Sequence, residues 1–271
     1  MKKIFSLIFI CILLTSCTVD VNTDEVQVST ELKDISAPSY NTWQKVGQGL
    51  EMKQFNVGEQ NLVSVVRVDS EKAKWAIGQD VNNPQMVSSW QEKLNADLVI
   101  NGGYFDETNN STGLLVVNKR QFGNLTTNGR NGYTGMLLIK DGKPELRYLP
   151  QNNFSEKEKI DFGLQTFPTL INQGKNLIAQ DSGKTARRTV LAQDKNGQIY
   201  IVISEFFISL FQLSDWLVNS ELKPQIAINL DGGPSTGLII KTKETYYKAE
   251  SAPVPNVIYL KAVGNGQQAN E

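Results

Sequence analysis

The chain of 271 residues has no histidine and two cysteines, Cys11 and Cys17. Without histidine, Ser-His-Asp and Cys-His catalysis, imidazole acid–base chemistry and histidine-ligated zinc are all excluded. Both cysteines lie near the amino terminus, so the rest of the chain has no disulfide and no thiol chemistry. Any catalysis must therefore use carboxylates, hydroxyls, tyrosine, lysine, arginine or the backbone.

The chain also lacks an excess of charge of one sign. It has 27 basic and 28 acidic residues, with a formal net charge of −1, and no polybasic run. This balance predicts no nucleic-acid partner. No EF-hand spacing is present, so the sequence requires no cofactor, while a divalent cation held by oxygen ligands stays compatible with it.

The amino terminus has the layout of an export signal. Basic residues at positions 2–3 precede the apolar run 4–14 and the tetrad 14–17 (LTSC). That tetrad resembles the bacterial lipoprotein cleavage box, so residues 1–17 are predicted to be a signal peptide, with Cys17 lipidated. The alternatives are an ordinary secretory signal and an uncleaved anchor. Thr18 after the cysteine favours the outer membrane of a bacterial cell envelope, with the protein facing the periplasm or the surface.

The remainder divides by composition into three parts. Residues 18–42 are polar and acidic without apolar periodicity, which predicts a tether between lipid and domain. Residues 43–263 carry globular patterning and are long enough for one domain with a substantial core. Residues 264–271 form a polar tail.

Two helices are predicted from apolar spacing and capping residues. The first begins after Pro84. Ser209 begins the second, with Gln212 three residues later in a capping-box spacing. The apolar face of the first helix comprises Met86, Val87, Trp90 and Leu94.

Strands outnumber these helices, and several are joined as hairpins. Asp141-Gly142 forms one tight turn, and Asn196-Gly197 joins the apolar runs 187–192 and 199–203. The predicted class is therefore α+β, with a mainly antiparallel sheet, hairpins and at least two packed helices in a single domain.

Two similar glycine turns are the main functional clue. Residues 229–237 (NLDGGPSTG) follow the apolar run 226–228, and residues 101–106 (NGGYFD) follow the run 98–100. Glycine pairs after a buried strand let a ligand approach the backbone closely, so the two turns are expected to face one cleft. The alternative is that each segment is only a turn, because Gly, Asn and Asp dominate turns for conformational reasons.

Three carboxylates at predicted strand ends are the acid–base candidates: Asp231, Asp106 and Glu205. Asp231 is the leading one, because its apolar strand predicts partial burial and a raised pKa. Arg188 begins one hairpin strand and Glu205 follows the other, so both are expected at the same end. The side chains of Arg187 and Arg188 must face opposite ways, so one arginine enters the site. An arginine fork suits a phosphate or a carboxylate.

Four ordered segments, residues 101–106, 188–189, 229–236 and 253–256, resemble those of the phosphodiester glycosidase family. The resemblance covers roughly residues 43–263. It implies hydrolysis of a glycosyl phosphodiester to a sugar and a phosphomonoester. Two departures from the family pattern are Pro234, in place of a third glycine, and Ser-Glu-Phe-Phe at residues 204–207, in place of an Asp-Gly turn.

This family reading assigns Arg188 to the phosphate, Asp231 to the nucleophile or base role, and Asp106 or Glu205 to the supporting acid. The alternatives are a non-catalytic surface lipoprotein that binds glycan or cell-wall polymer in the same cleft, and a structural envelope protein. The remaining predicted substrate contacts are Asn101, Gly102, Gly103, Asn229, Gly232, Gly233, Ser235 and Thr236.

Overall fold

The computed structural model describes residues 42–58, 61–126, 132–250 and 252–263. The predicted signal peptide with Cys17, nearly all of the predicted tether and the polar tail lie outside the described residues. The described strands are β1 (Gln44–Gly47), β2 (Leu50–Val57), β3 (Asn61–Val68), β4 (Ala73–Gln79), β5 (Leu98–Asn101), β6 (Leu115–Val117), β7 (Arg120–Phe122), β8 (Gly135–Lys140), β9 (Lys143–Tyr148), β10 (Phe162–Thr166), β11 (Thr169–Asn172), β12 (Lys175–Asn176), β13 (Thr185–Asp194), β14 (Ile199–Ser209), β15 (Pro224–Asn229), β16 (Leu238–Lys241), β17 (Tyr246–Ala249) and β18 (Asn256–Ala262). The described helices are α1 (Val87–Leu94) and α2 (Leu210–Asn219).

The strands divide among three antiparallel sheets. Sheet A has the order β1-β2-β3-β14-β13-β15-β11-β12, sheet B the order β7-β6-β10-β8-β9, and sheet C the order β17-β16-β5-β18-β4. The α+β class and the antiparallel pairing are confirmed. The expectation of one main sheet is wrong, because the division into three sheets depends on pairing between strands that lie far apart in the chain.

Both predicted helices are confirmed, and local interactions define the end of α1 and the beginning of α2. α1 ends at Asn95, which adopts the left-handed conformation with φ 47°. In α2 the Ser209 hydroxyl accepts from the Gln212 backbone N–H at 3.2 Å, and the Gln212 side chain accepts from the Ser209 N–H at 3.2 Å. This reciprocal pair is the predicted capping box.

The hydrophobic core consists of layers on the two faces of sheet A and on the outer face of sheet C. The largest apolar cluster packs one face of sheet A against sheets B and C, with Leu191, Ile100 and Leu137 as examples. A second cluster covers the other face of sheet A and includes Leu213 of α2, while Val87 of α1 packs on the outer face of sheet C. Burial on both faces makes sheet A a rigid support for the residues at its strand ends.

Candidate active site

The two glycine turns meet, because one buried amide bonds to both. Asn101 has no exposed surface, and its Nδ2 donates to the backbone carbonyl of Asp231 at 2.7 Å. Its Oδ1 accepts from the Thr189 hydroxyl at 2.7 Å and from the Gly237 N–H at 3.1 Å. The Asp231 N–H in turn donates to the Gly102 carbonyl at 3.3 Å. Asn101 therefore fixes the geometry of the turns, and its amide is occupied by the protein itself.

The glycines allow chain segments to approach each other. A β-carbon on Gly102 would lie 2.0 Å from Asn256 Oδ1, and one on Gly232 would lie 2.7 Å from the Arg187 carbonyl. Asn256 Oδ1 also accepts from the Gly103 N–H at 2.7 Å. Of these turn glycines only Gly233 has a left-handed φ, 59°, and no described atom lies within 4 Å of a β-carbon built there. Gly233 is thus the turn glycine with open space beside it.

The register of β13 and β15 brings Arg188 and Asp231 to neighbouring positions on adjacent strands, without an ion pair between them. Strands β13 and β15 pair Leu191 with Ile228 and Val190 with Asn229, and the Leu230 N–H donates to the Thr189 carbonyl at 2.8 Å. Continued by one more residue on each strand, this register sets Arg188 opposite Asp231. Their side chains therefore project from the same face of sheet A.

Asp231 is largely buried at the end of its strand. Burial raises the pKa of its carboxyl group, while hydrogen bonds from the Ser235 side chain and from the Gly232 N–H, the latter at 2.8 Å, counteract part of that rise. Ser235 sits in a short 3-10 turn, Gly233–Ser235, directly after the aspartate. A carboxylate with a raised pKa and two fixed donors is suited to act as a base or nucleophile.

Arg188 is half-buried, and two of its nitrogens are already committed. Nε donates to the Ile208 carbonyl at 3.1 Å and Nη2 to the Lys184 carbonyl at 3.1 Å. Burial lowers the pKa of the guanidinium, which nonetheless stays charged because an arginine pKa is so high. Within the described part of the chain Arg188 has no carboxylate partner. Its Nη1 makes no hydrogen bond to a described residue, so this nitrogen remains available to an anion.

Tyr104 interacts electrostatically with both of these charged groups. The Asn229 Nδ2 donates to its hydroxyl at 2.6 Å, and its ring stacks on Phe167 with centroids 4.2 Å apart. The pKa of Tyr104 is raised, mainly by burial and also by the negative charge of Asp231, while the positive charge of Arg188 lowers it. The hydroxyl is therefore within electrostatic range of both Asp231 and Arg188.

The other two carboxylate candidates lie outside this cluster. Exposed Asp106 accepts from the Thr108 hydroxyl at 2.6 Å and from the Asn110 N–H at 3.0 Å. Its pKa is lowered, chiefly by Thr108, so the group stays ionised and does not suit a supporting acid. These bonds agree with the alternative that Asp106 only stabilises a turn.

Glu205 faces the wrong side of sheet A. Its carboxylate accepts a hydrogen bond of 2.5 Å from the Tyr247 hydroxyl. The same hydroxyl contacts Ser64, which lies on the face of sheet A opposite Arg188 and Asp231. β14 continues through residues 204–207 with a bulge, so the expected strand end before Glu205 is wrong. Strand alternation then places Arg188 and Glu205 on opposite faces.

Two buried polar atoms near Asp231 lack partners among the described residues. These are Asn229 Oδ1 and the Thr236 hydroxyl, both on side chains that are almost wholly buried. Asn229 directs its amide nitrogen toward Tyr104 and Phe167, which leaves its oxygen unpaired.

No three acidic or cysteine side chains gather in the described ranges in a manner that would hold a metal ion. No helix among the described residues is long and apolar enough to cross a bilayer.

The chain is similar in sequence to glycosidase-type hydrolases. The model of the phosphodiester glycosidase family matches residues 94–261, and the chain belongs to that family. The structure is similar to the catalytic domain of zebrafish N-acetylglucosamine-1-phosphodiester alpha-N-acetylglucosaminidase, auto-inhibited by its pro-peptide. The TM-score is 0.58 at 17% identity, covering 81% of this chain and 87% of the other. A hypothetical protein from Synechocystis has a TM-score of 0.50 at 15% identity, covering 78% of this chain and 61% of the other. No curated protein sequence matches the chain.

Sequence reasoning missed Tyr104 and Asn256 as site residues, although both stand in the segments that carry the family resemblance. Tyr104 directly follows the first glycine pair, and Asn256 follows Pro255. Adjacency to the glycine pair was the available signal for Tyr104. The partner of Asn256 lies 153 residues away, so its role depended on long-range pairing.

Proposed function

We propose that the protein hydrolyses a glycosyl phosphodiester, a sugar-1-phosphate diester, and releases a sugar and a phosphomonoester. The register that sets Arg188 opposite Asp231 on one face of sheet A carries the proposal. Family membership supports the same chemistry. The substrate would be part of an envelope or extracellular glycoconjugate.

In this mechanism Arg188 binds the phosphate through Nη1, while the Ile208 and Lys184 carbonyls hold its other nitrogens. Asp231 attacks the anomeric carbon or accepts a proton from the attacking water. Phosphate is a good leaving group, so its departure needs less proton donation than an ordinary glycoside requires. One arginine and one carboxylate therefore account for most of the chemistry.

The amide groups of Asn101 and Asn229 serve this proposal as positioning groups, because both are buried and bonded to the protein. Ser235 positions the Asp231 carboxylate. Sugar hydroxyls are then bound on the open side of Gly233, where no described atom lies within 4 Å of a β-carbon position.

The assay is release of free sugar from a panel of sugar-1-phosphodiesters. Asp231→Asn should reduce kcat by about 10²–10⁴-fold, the usual range for losing an acid–base group. Glu205→Gln, on the other face of sheet A, is the matched carboxylate control and should keep kcat within about threefold. Full activity in a folded Asp231→Asn protein would overturn the site assignment. Absence of release from every substrate, with glycan binding that survives Asp231→Asn, would favour a binding lipoprotein.

The proposal requires no cofactor, because Arg188 supplies the positive charge beside the phosphate. Dialysis against EDTA should leave the rate unchanged, and adding Mg²⁺, Ca²⁺ or Mn²⁺ should not raise it. A metal-dependent rate would show that an oxygen-ligated cation takes part.

We also propose that the chain is a lipoprotein of the bacterial envelope, anchored through Cys17 in the outer membrane and facing the periplasm or the surface. The residues before the cysteine support this. Labelling with a palmitate analogue in a bacterial host should mark the wild type and not Cys17→Ser. Thr18→Asp should move the labelled protein to the inner membrane fraction. Wild type that stays unlabelled and soluble would contradict the anchor.

A further inference from the structure

The side chain of Tyr104 is fixed in place by contacts around its ring and hydroxyl. It follows the glycine pair whose backbone is tied to Asp231 by the Asp231 N–H bond to Gly102. Its ring stacks on Phe167 at an interplanar angle of 27°. The hydroxyl receives a hydrogen bond of 2.6 Å from Asn229. The oxygen atom is therefore held on the same face of sheet A as Asp231.

The direction of the hydrogen bond from Asn229 leaves the Tyr104 proton available. The same Asn229 Nδ2 lies 3.1 Å from the Phe167 carbonyl, which can only accept, so this atom is the nitrogen. It donates to the Tyr104 oxygen, and the phenolic hydrogen must point elsewhere. Among the described residues no group accepts that hydrogen. Tyr104 thus offers an unused donor beside Asp231 and Arg188.

Arg188 by itself provides an incomplete anion site. Nε and Nη2 each donate to a carbonyl, so the usual paired use of these two nitrogens toward one phosphate is blocked. A phosphodiester presents two non-bridging oxygens and one leaving oxygen. The described residues leave three kinds of donor unused here: Nη1 of Arg188, the second N–H of its Nη2, and the Tyr104 hydroxyl. Burial raises the pKa of the Tyr104 hydroxyl, so it stays protonated at neutral pH.

We propose that Tyr104 is a further catalytic residue, whose hydroxyl donates a hydrogen bond to the phosphate oxygen that leaves the anomeric carbon. This inference rests on the proposed function. The bond between the anomeric carbon and that oxygen breaks, and its electron pair passes to the oxygen. Either water forms the new bond to carbon and gives its proton to Asp231, or Asp231 forms the bond and water then hydrolyses the resulting ester to release the sugar. Tyr104 keeps its proton and stabilises the growing negative charge. It takes the place of the supporting acid that Asp106 and Glu205 do not supply.

The test is Tyr104→Phe, which keeps the ring on Phe167 and removes only the hydroxyl. Removing one such donor costs about 10²–10³-fold in kcat. Tyr133→Phe is the matched control: Tyr133 packs on the same Phe167, with centroids 4.5 Å apart, but its hydroxyl contacts Thr112. That variant should keep kcat within about threefold. Circular dichroism and thermal unfolding verify that both variants are folded.

A second measurement distinguishes a phosphate contact from a structural role. A sugar 1-(methyl phosphate) is titrated calorimetrically into Asp231→Asn and into the double variant Asp231→Asn/Tyr104→Phe, neither of which turns it over. The double variant should bind about tenfold more weakly, and the neutral methyl glycoside of the same sugar should show no such difference.

The outcomes separate the two proposals. Active wild type with equally active Tyr104→Phe, or equal affinity in the two Asp231→Asn backgrounds, overturns the role of Tyr104 and leaves the proposed function standing. Wild type without activity overturns the proposed function, and with it the catalytic role. If the two Asp231→Asn backgrounds then still differed tenfold in affinity for the phosphodiester, Tyr104 would remain a phosphate-binding residue without a catalytic role.

Discussion

Asn101 and Asp231 lie 130 residues apart in the chain, and the Asn101 amide nitrogen donates to the Asp231 carbonyl oxygen at 2.7 Å. The same amide also accepts from Thr189 and Gly237. One side chain thus holds together three segments that carry the site.

Asn101→Ala should lower the free energy of unfolding by about 2–4 kcal/mol, because it leaves several buried groups without partners. Urea denaturation of the purified protein measures the loss. Asn153→Ala, at an exposed position, should stay within about 0.5 kcal/mol of wild type. Similar midpoints for the two variants would contradict the central role of Asn101.

Gly102→Ala should be strongly destabilising, because the new methyl group would lie 2.0 Å from Asn256 Oδ1. Asn256→Ala also destabilises, since the Gly103 N–H loses its acceptor. In the double variant the contacts with the Asn256 side chain disappear, and the backbone oxygen of residue 256 remains at 3.1 Å. The loss of stability in the double variant should therefore be smaller than the sum of the two single losses by at least about 1 kcal/mol. If urea denaturation shows that the two losses in the free energy of unfolding are strictly additive, the proposed steric contact between residues 102 and 256 is contradicted.

Asp231→Asn should stabilise the protein at neutral pH. The folded pKa of Asp231 is raised above its unfolded value of about 3.9, so the folded state binds more protons between those values. The contribution of Asp231 to the free energy of unfolding is fully present below the unfolded pKa. It is lost as pH rises through the folded pKa and stays lost above it. The melting temperature of the variant should exceed that of wild type at pH 7, with the difference fading toward pH 3. Asp215→Asn on exposed α2 should show no such gain.

Arg188→Lys should raise KM or lower kcat for a phosphodiester substrate by about tenfold or more, because the donors of an ammonium group all lie on one nitrogen and cannot reproduce the spread of the planar guanidinium over the two carbonyls and the phosphate. Arg120→Lys, at an exposed position on β7, is the control. It should keep kcat/KM within about threefold. Equal losses in the two variants would contradict a phosphate-binding role for Arg188.

Asp106→Asn should leave sugar release within about threefold of wild type. Its pKa is lowered mainly by the Thr108 hydroxyl, so its contribution to stability is present above the unfolded pKa and is lost as pH falls through the folded pKa. At neutral pH the variant should therefore exchange the amide hydrogens of Thr108 and Asn110 faster. A large loss of kcat with unchanged exchange would restore Asp106 as a catalytic candidate.

The local features of the fold were predictable from sequence. The capping box at Ser209 and the Asp141-Gly142 hairpin depend on residues a few positions apart, and both are present. The division into three sheets was not predictable, because it depends on pairing between distant strands such as β3 and β14.

The site shows the same division. The sequence predicted that the two glycine turns meet, and the Asn101 bonds bear this out. The sequence predicted Glu205 at the same strand end as Arg188. The bulge in this hairpin and the alternation of side chains between the two faces of the sheet were not predicted, and they place Glu205 on the other face. Nor did the sequence predict that the Ile208 and Lys184 carbonyls occupy Arg188.

The position of β18 links the site to the way the chain is made. Asn256, which holds Gly103, begins this last described strand, and β18 pairs with both β4 and β5. During synthesis, sheet C must wait for the carboxy-terminal strand, because such non-local contacts form only after the whole chain is available. The cleft is therefore among the last parts to assemble, so a partly synthesised or truncated chain should have no competent site.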